Sequence, residues 1–156
     1  MITLAPVSRD GIATVAHIAV RPDQERFCGT IADHFAADEP GCDFHMILRD
    51  LHPVGFFKID RAFPLHSPFA APDDIGLRGV MIDAREQGKG TGKAAMALLR
   101  PYISARYTGA ANLVLTVNVI NGAARAVYLS AGFVDGGELY HGGKIGPQHV
   151  LRLPLG

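Results

Sequence analysis

The chain has 156 residues, 48% hydrophobic and 19% charged, which suits one compact domain, residues 1–156, with a sizeable core and excludes a largely disordered chain. Fifteen Lys and Arg balance fifteen Asp and Glu, so no overall field collects nucleic acid or an anionic membrane surface, and any anion site has to be local. With no basic start leading into an apolar core and no run of about eighteen apolar residues, the chain reads as cytoplasmic; Cys28 and Cys42 lack metal-ligand spacing and read as reduced thiols, with no metal expected.

Residues 2–7 read as a first strand, and Ser8 as the N-cap of a helix whose apolar positions Ile12, Val15, Ala16 and Ala19 fall at helical spacing. Pro22 opens a second helix in which Phe27, Ile31 and Phe35 form one stripe, ending near Pro40 and Gly41. Residues 44–48 and 54–59 are the strands of a hairpin joined through residues 49–53. From Arg61 to Asp74 the prolines Pro64, Pro68 and Pro72 break any regular element, while Phe63, Leu65 and Phe69 argue for an ordered loop, expected near the mouth of a substrate site.

Residues 75–83 are a strand with Gly79 as a bulge, and a helix runs from about residue 91 to Tyr107, kinked by Pro101. Between them lies Gln87-Gly88-Lys89-Gly90-Thr91-Gly92, a glycine loop joining strand to helix start. Such a loop turns its backbone amides inward, and the helix dipole adds about half a positive charge, so the site suits a pyrophosphate. The nucleotide P-loop spacing fails, because Gln87 stands five residues before Gly92 and Ala94 follows Gly92-Lys93; the dinucleotide fingerprint fails where Lys93 replaces its third glycine. What fits is Q/R-x-x-G-x-G/A, filled by Gln87, Gly90 and Gly92. After a strand over residues 112–119, the segment from Asn121 to about Ala131 is a helix. There Val117, Asn121, Ala124, Tyr128, Gly132 and Phe133 satisfy V-x-x-x-N-x-x-A-x-x-x-Y-x-x-x-G-F, before a last set of strands through Leu153.

With both motifs in place, and Val54-Gly55-Phe56 upstream, the chain resembles the GNAT superfamily of acyl-CoA-dependent N-acyltransferases over most of residues 2–153, and more loosely its polyamine and diamine acetyltransferase branch. The resemblance implies an α/β fold: a mixed, mostly antiparallel sheet flanked by helices, with two strands splayed to admit the CoA arm. It implies transfer of an acetyl group from acetyl-CoA to a primary amine of a small molecule by direct attack. Acetylation of a protein N-terminus or lysine, or CoA binding without turnover, is the alternative. Amides of Gln87, Gly88, Lys89, Gly90, Thr91, Gly92 and Lys93 would hold the pyrophosphate, with Lys89 and Lys93 as charged auxiliaries, and main-chain groups near Met81 and Ile82 would pair with the pantetheine. Tyr128 would protonate the leaving thiolate, and Asn121 would order its helix. The strand before the loop lacks the glutamate that many members use as base. Among Asp73, Asp74, Asp83, Glu39 and His66, a water-mediated route to Asp74 is the reading adopted. Dimers are common in the family, though no residue here demonstrates a homodimer.

Overall fold

The computed structural model describes residues 1–156. Its strands are β1 (Ile2–Val7), β2 (Cys42–Arg49), β3 (His52–Asp60), β4 (Asp74–Ile82), β5 (Asn112–Asn118), β6 (Val134–Tyr140) and β7 (Gln148–Pro154). They form one sheet in the order β1-β2-β3-β4-β5-β7-β6, antiparallel throughout except for the parallel pair β4 and β5. The helices are α1 (Ile12–Val15), α2 (Glu25–Cys28), α3 (Ile31–Ala36), α4 (Thr91–Ala97), α5 (Leu99–Arg106) and α6 (Gly122–Ser130).

Strand β3 shows why two layers form on this sheet. Side-chain alternation sends Phe57 and Ile59 into a cluster with Ala95, Met96, Leu99 and Ile103 of α4 and α5. It sends Phe56 the other way, to Val15, Ile31, Phe44 and Met81 beneath α1 and α3. Each such buried Val, Leu, Ile, Phe or Met side chain stabilises the fold by about 1.5–3 kcal/mol.

The feature that shapes the site is the parting of β4 from β5. The two strands pair only at Asp74 with Asn112, Ile75 with Leu113 and Gly76 with Val114, and then separate. On the other side of β4, the register with β3 shifts between Phe56 and Lys58, leaving Gly79 and Val80 without a partner. Gly79 has φ +63°, and a Cβ there would lie 2.8 Å from the His34 ring, so the expected bulge is present and admits only glycine.

Several expected boundaries change, each for a local reason. The single helix from Pro22 breaks into α2 and α3 because Gly29 adopts φ +74° and Thr30 caps α3 by accepting from the Asp33 amide at 3.2 Å. Phe27 thereby leaves the stripe. The hairpin loop shrinks from five residues to two, with Asp50 and Leu51 at φ 48° and 71°, the handedness that matches strand twist. Pro101 splits its helix at Leu98, since its ring clashes with the carbonyl of Ala97, four residues earlier. The proline-rich segment is a correction of place. Phe63 and Phe69 cover Val114 and Val150 of β5 and β7, away from the cleft described below.

A buried polar relay ties β2 to α5. Tyr102 donates to His45 Nδ1 at 2.7 Å, His45 Nε2 donates to the Tyr107 hydroxyl at 2.9 Å, and Tyr107 donates to Asp43 at 2.8 Å. His45 is 3% exposed, and burial pushes its pKa down to about 4. Between about pH 4 and 6.5 the unfolded chain therefore binds the extra proton, so stability falls on acidification through that window by up to about 3 kcal/mol. Urea unfolding of wild type against His45→Phe from pH 7 to pH 4 should show a shallower acid loss in the variant. Equal slopes would exclude His45 as the acid-sensitive group.

Candidate active site

The glycine loop is built as an open cradle and is held from beneath. Gly88 and Gly90 have φ +78° and +77°, and a Cβ at either would meet no protein atom within 4 Å. Gly90 is the N-cap of α4, and the amides of Thr91 and Gly92 lie in the helix's first turn. Arg49 of β2 supports the bend, donating to Glu86 Oε1 at 2.7 Å and to Thr91 Oγ1 at 2.6 Å. Gln87 lines the ligand space, with its side chain engaged by protein groups. Its amide donates to the Ile82 carbonyl at 3.0 Å and exchanges hydrogen bonds with Gln24 at 2.9 and 3.2 Å, which ties the loop to β4 and to the segment before α2.

From the cradle a cleft of about 550 Å³ runs along the free edge of β4, past Val80 and Ile82, to Val127 and Tyr128 of α6. Lys93 lines it. The Lys89 side chain does not, being turned to Glu86 at 3.2 Å. The Met81 side chain is 1% exposed in the core, and its carbonyl lies beside Gly55 of β3. By strand alternation the edge belongs to Val80 and Ile82; the Ile82 carbonyl is taken by Gln87, and Val80 has no register partner on β3 or β5.

A second cavity of about 340 Å³ adjoins the first where β4 and β5 part; the two share Phe27, Cys28, Val80, Asn121, Ala124 and Tyr128. Asn121 caps α6, accepting from the Ala124 amide at 3.4 Å. Tyr128 is half-buried and packs edge-on against Phe133 at 5.6 Å; burial, with the nearby Cys28, pushes its phenol well above the usual value, so it stays protonated at neutral pH. Burial, with the charge of Glu25, likewise raises the Cys28 thiol to about 11.

His34, Lys58, Arg78 and Asn118 complete the second cavity, and none was among the expected site residues. His34 stacks on Phe56 at 5.4 Å, and its Nε2 meets the Cys28 carbonyl at 2.5 Å, so Nε2 carries the proton and Nδ1 keeps its lone pair. Burial, then the charge of Lys58, lowers its pKa, leaving it neutral at pH 7. One of these residues was legible in the sequence. In Phe56-Phe57-Lys58-Ile59, alternation puts Lys58 on the same inward face as Phe56, and a lysine there signals a buried partner.

Asp74 lies at the closed end of β4, where it accepts from the Ala71 amide at 2.8 Å and from Asn112 at 3.1 Å. Six residues of strand, about 20 Å, separate it from Val80. It lines neither cavity and is withdrawn as the base. Of the other groups considered, Asp73 lines neither cavity, Asp83 pairs with Arg85 at 2.9 Å, Glu39 pairs with Lys58 at 2.6 Å, and His66 sits on Asp60 at 2.7 Å.

Comparison with known proteins agrees with this geometry. Residues 12–133 match the Acetyltransferase (GNAT) family. Over 112 residues, 69% of this chain and 67% of the relative, the sequence is 34% identical to the uncharacterized N-acetyltransferase YbbJ of Bacillus subtilis (strain 168). The fold matches aminoglycoside acetyltransferase AAC(6')-Ib in complex with coenzyme A, with TM-score 0.79, 16% identity and coverage of 99% of this chain and 95% of that one. It also matches a spermidine N-acetyltransferase SpeG chimera from Vibrio cholerae and hSSAT, with TM-score 0.73, 14% identity and coverage of 99% and 95%. The family match, the curated relative and the parted strands lead to one conclusion: the chain belongs to the GNAT family of acetyltransferases.

Proposed function

We propose that the protein transfers the acetyl group of acetyl-CoA to the primary amine of a small molecule, by direct attack while both substrates are bound. The observation that carries this reading is the continuity of the two cavities through Tyr128: one reaches the glycine cradle, and the other opens on the acceptor side. The open positions at Gly88 and Gly90 and the strand edge at Val80, which has no register partner, fit the diphosphate and pantetheine of CoA. Acetyl-CoA supplies the thioester; the amine nitrogen bonds to its carbonyl carbon as the carbon–sulfur bond breaks.

His34 takes the proton the amine loses, through Nδ1, and Tyr128 donates to the departing sulfur. A desolvated thiolate is a stronger base than one in water, which helps a phenol of raised pKa serve as its donor. A covalent relay through Cys28 is disfavoured, because a thiol at about 11 is ionised in about one molecule in ten thousand at pH 7. The small acceptor cavity supports a small amine over a protein chain.

The test is release of free thiol from acetyl-CoA across a panel of primary amines. Amine-dependent release is expected. With the amine kept in its neutral form by calculation, the rate should rise with pH through a limb below 6.5, where His34 loses its proton, and His34→Gln should remove that limb and cut turnover about tenfold or more. Thermal stabilisation by CoA with no release for any amine would replace the transferase reading by a binding module. A limb that survives in His34→Gln would release His34 from the role.

A further inference from the structure

The wall of the acceptor cavity carries two cations and no carboxylate. Lys58 and Arg78 line it as register partners on β3 and β4, and none of the lining residues is Asp or Glu. Both cations are held from behind. Glu39 accepts from Lys58 Nζ at 2.6 Å and from Arg78 Nη1 at 2.7 Å, and Asp60 accepts from Arg78 Nη1 at 3.2 Å. The carboxylate contacts of Arg78 all fall on Nη1, which leaves Nε and Nη2 as donors, and Lys58 keeps two further ammonium hydrogens. Glu39 is itself fixed as an anion, its pKa lowered to about 2, against the cost of burial, by hydrogen bonds from Lys58 and Arg78.

Another wall of the cavity has the opposite polarity. Asn118, at the end of β5 where the strands have parted, is 8% exposed, and its Oδ1 has no hydrogen-bond partner. A buried unpaired carbonyl oxygen costs about 1–3 kcal/mol unless a ligand donor satisfies it. An amine N–H is such a donor. Spare cationic donors and the side chain that carries this orphaned acceptor thus line one space of about 340 Å³, at the small end of ligand pockets.

Resting on the transferase reading above, we propose that the acceptor is a small primary amine that also carries an anion, a carboxylate or a phosphate. The anion sits on the free donors of Arg78 and Lys58, and the amine is directed to Asn118 Oδ1 and His34. A polyamine would instead bring cations to a wall that presents the spare donors of Lys58 and Arg78, whose carboxylate partners Glu39 and Asp60 are already paired behind it, so this cavity selects against it. The acidic residues Asp33, Asp38, Asp73 and Asp74 lie outside the lining and offer no counter-charge there.

The experiment compares amines matched except for the anion: L-lysine with cadaverine for a carboxylate, glucosamine 6-phosphate with glucosamine for a phosphate, and spermidine as the polycation. With wild-type protein and acetyl-CoA, kcat/KM should be at least about tenfold higher for the anionic member of one pair, and the pair that responds identifies the anion. Asn118→Asp, which sets a carboxylate in the cavity, should erase that preference through KM. In the presence of CoA, the same anionic amine should raise the thermal midpoint more than its anion-free partner does, a readout independent of turnover. Equal or better turnover of cadaverine, glucosamine or spermidine would overturn the proposal and leave the transferase reading standing. Absence of release with every amine would remove both.

Discussion

Tyr128→Phe is expected to lower turnover about tenfold or more at saturating substrates while leaving affinity for CoA within about twofold. The substitution removes only the hydroxyl. The ring stays seated, because its edge-on packing against Phe133 at 5.6 Å and its place in α6 use no oxygen atom. Asn121 still caps the helix through the Ala124 amide, so the backbone that carries position 128 does not move. What is lost is a donor kept protonated by burial, in the stretch shared by both cavities. Thiol release under saturation and a CoA binding isotherm together check the result. Unchanged turnover would take the hydroxyl out of the mechanism, and a matching loss of CoA affinity would make it a binding group.

Gly90→Val should weaken CoA binding by about tenfold or more. At φ +77° a β-branched residue strains the backbone, a cost of about 1–3 kcal/mol. That cost is small beside a stability of about 5–15 kcal/mol, and the new Cβ meets no protein atom within 4 Å, so the fold survives. The branched methyl groups project instead into the space where the diphosphate approaches the amides. Gly90→Ala, with the same φ strain and less bulk, should fall between wild type and Gly90→Val. Titration calorimetry with CoA, paired with thermal unfolding, separates the two contributions. A variant that unfolds a few degrees earlier yet binds CoA as tightly would show that the bend is only a turn.

The parts of the site set by local chain geometry were legible. A glycine loop between a strand and a helix declares itself in its spacing, and so does the run from Val117 to Phe133 that places Tyr128 seven residues after the cap Asn121. The bulge at Gly79 was also readable, since a glycine inside an apolar strand has few other uses. Partnerships set by the sheet were not legible. Arg49 reaches Thr91 across 42 positions, and Arg78 reaches Glu39 across 39, contacts that no periodicity records. His34 was hidden by the break at Gly29, which rotates α3 and brings its ring over Gly79; an unbroken helix would have aimed it elsewhere. Asp74 failed for the opposite reason. It stood on the right strand, but proximity in sequence to the glycine loop says nothing about which end of a nine-residue strand faces the cleft.

The central claim, that main-chain amides of the glycine bend grip the diphosphate of CoA, is tested most directly by a CoA titration of ¹⁵N-labelled protein. The account predicts that the amide signals of Gly88, Gly90, Thr91 and Gly92 shift in a saturable way with CoA and move far less with pantetheine, which lacks the diphosphate. Signals of the bend that stay still while CoA binds, or that move equally with pantetheine, would contradict it.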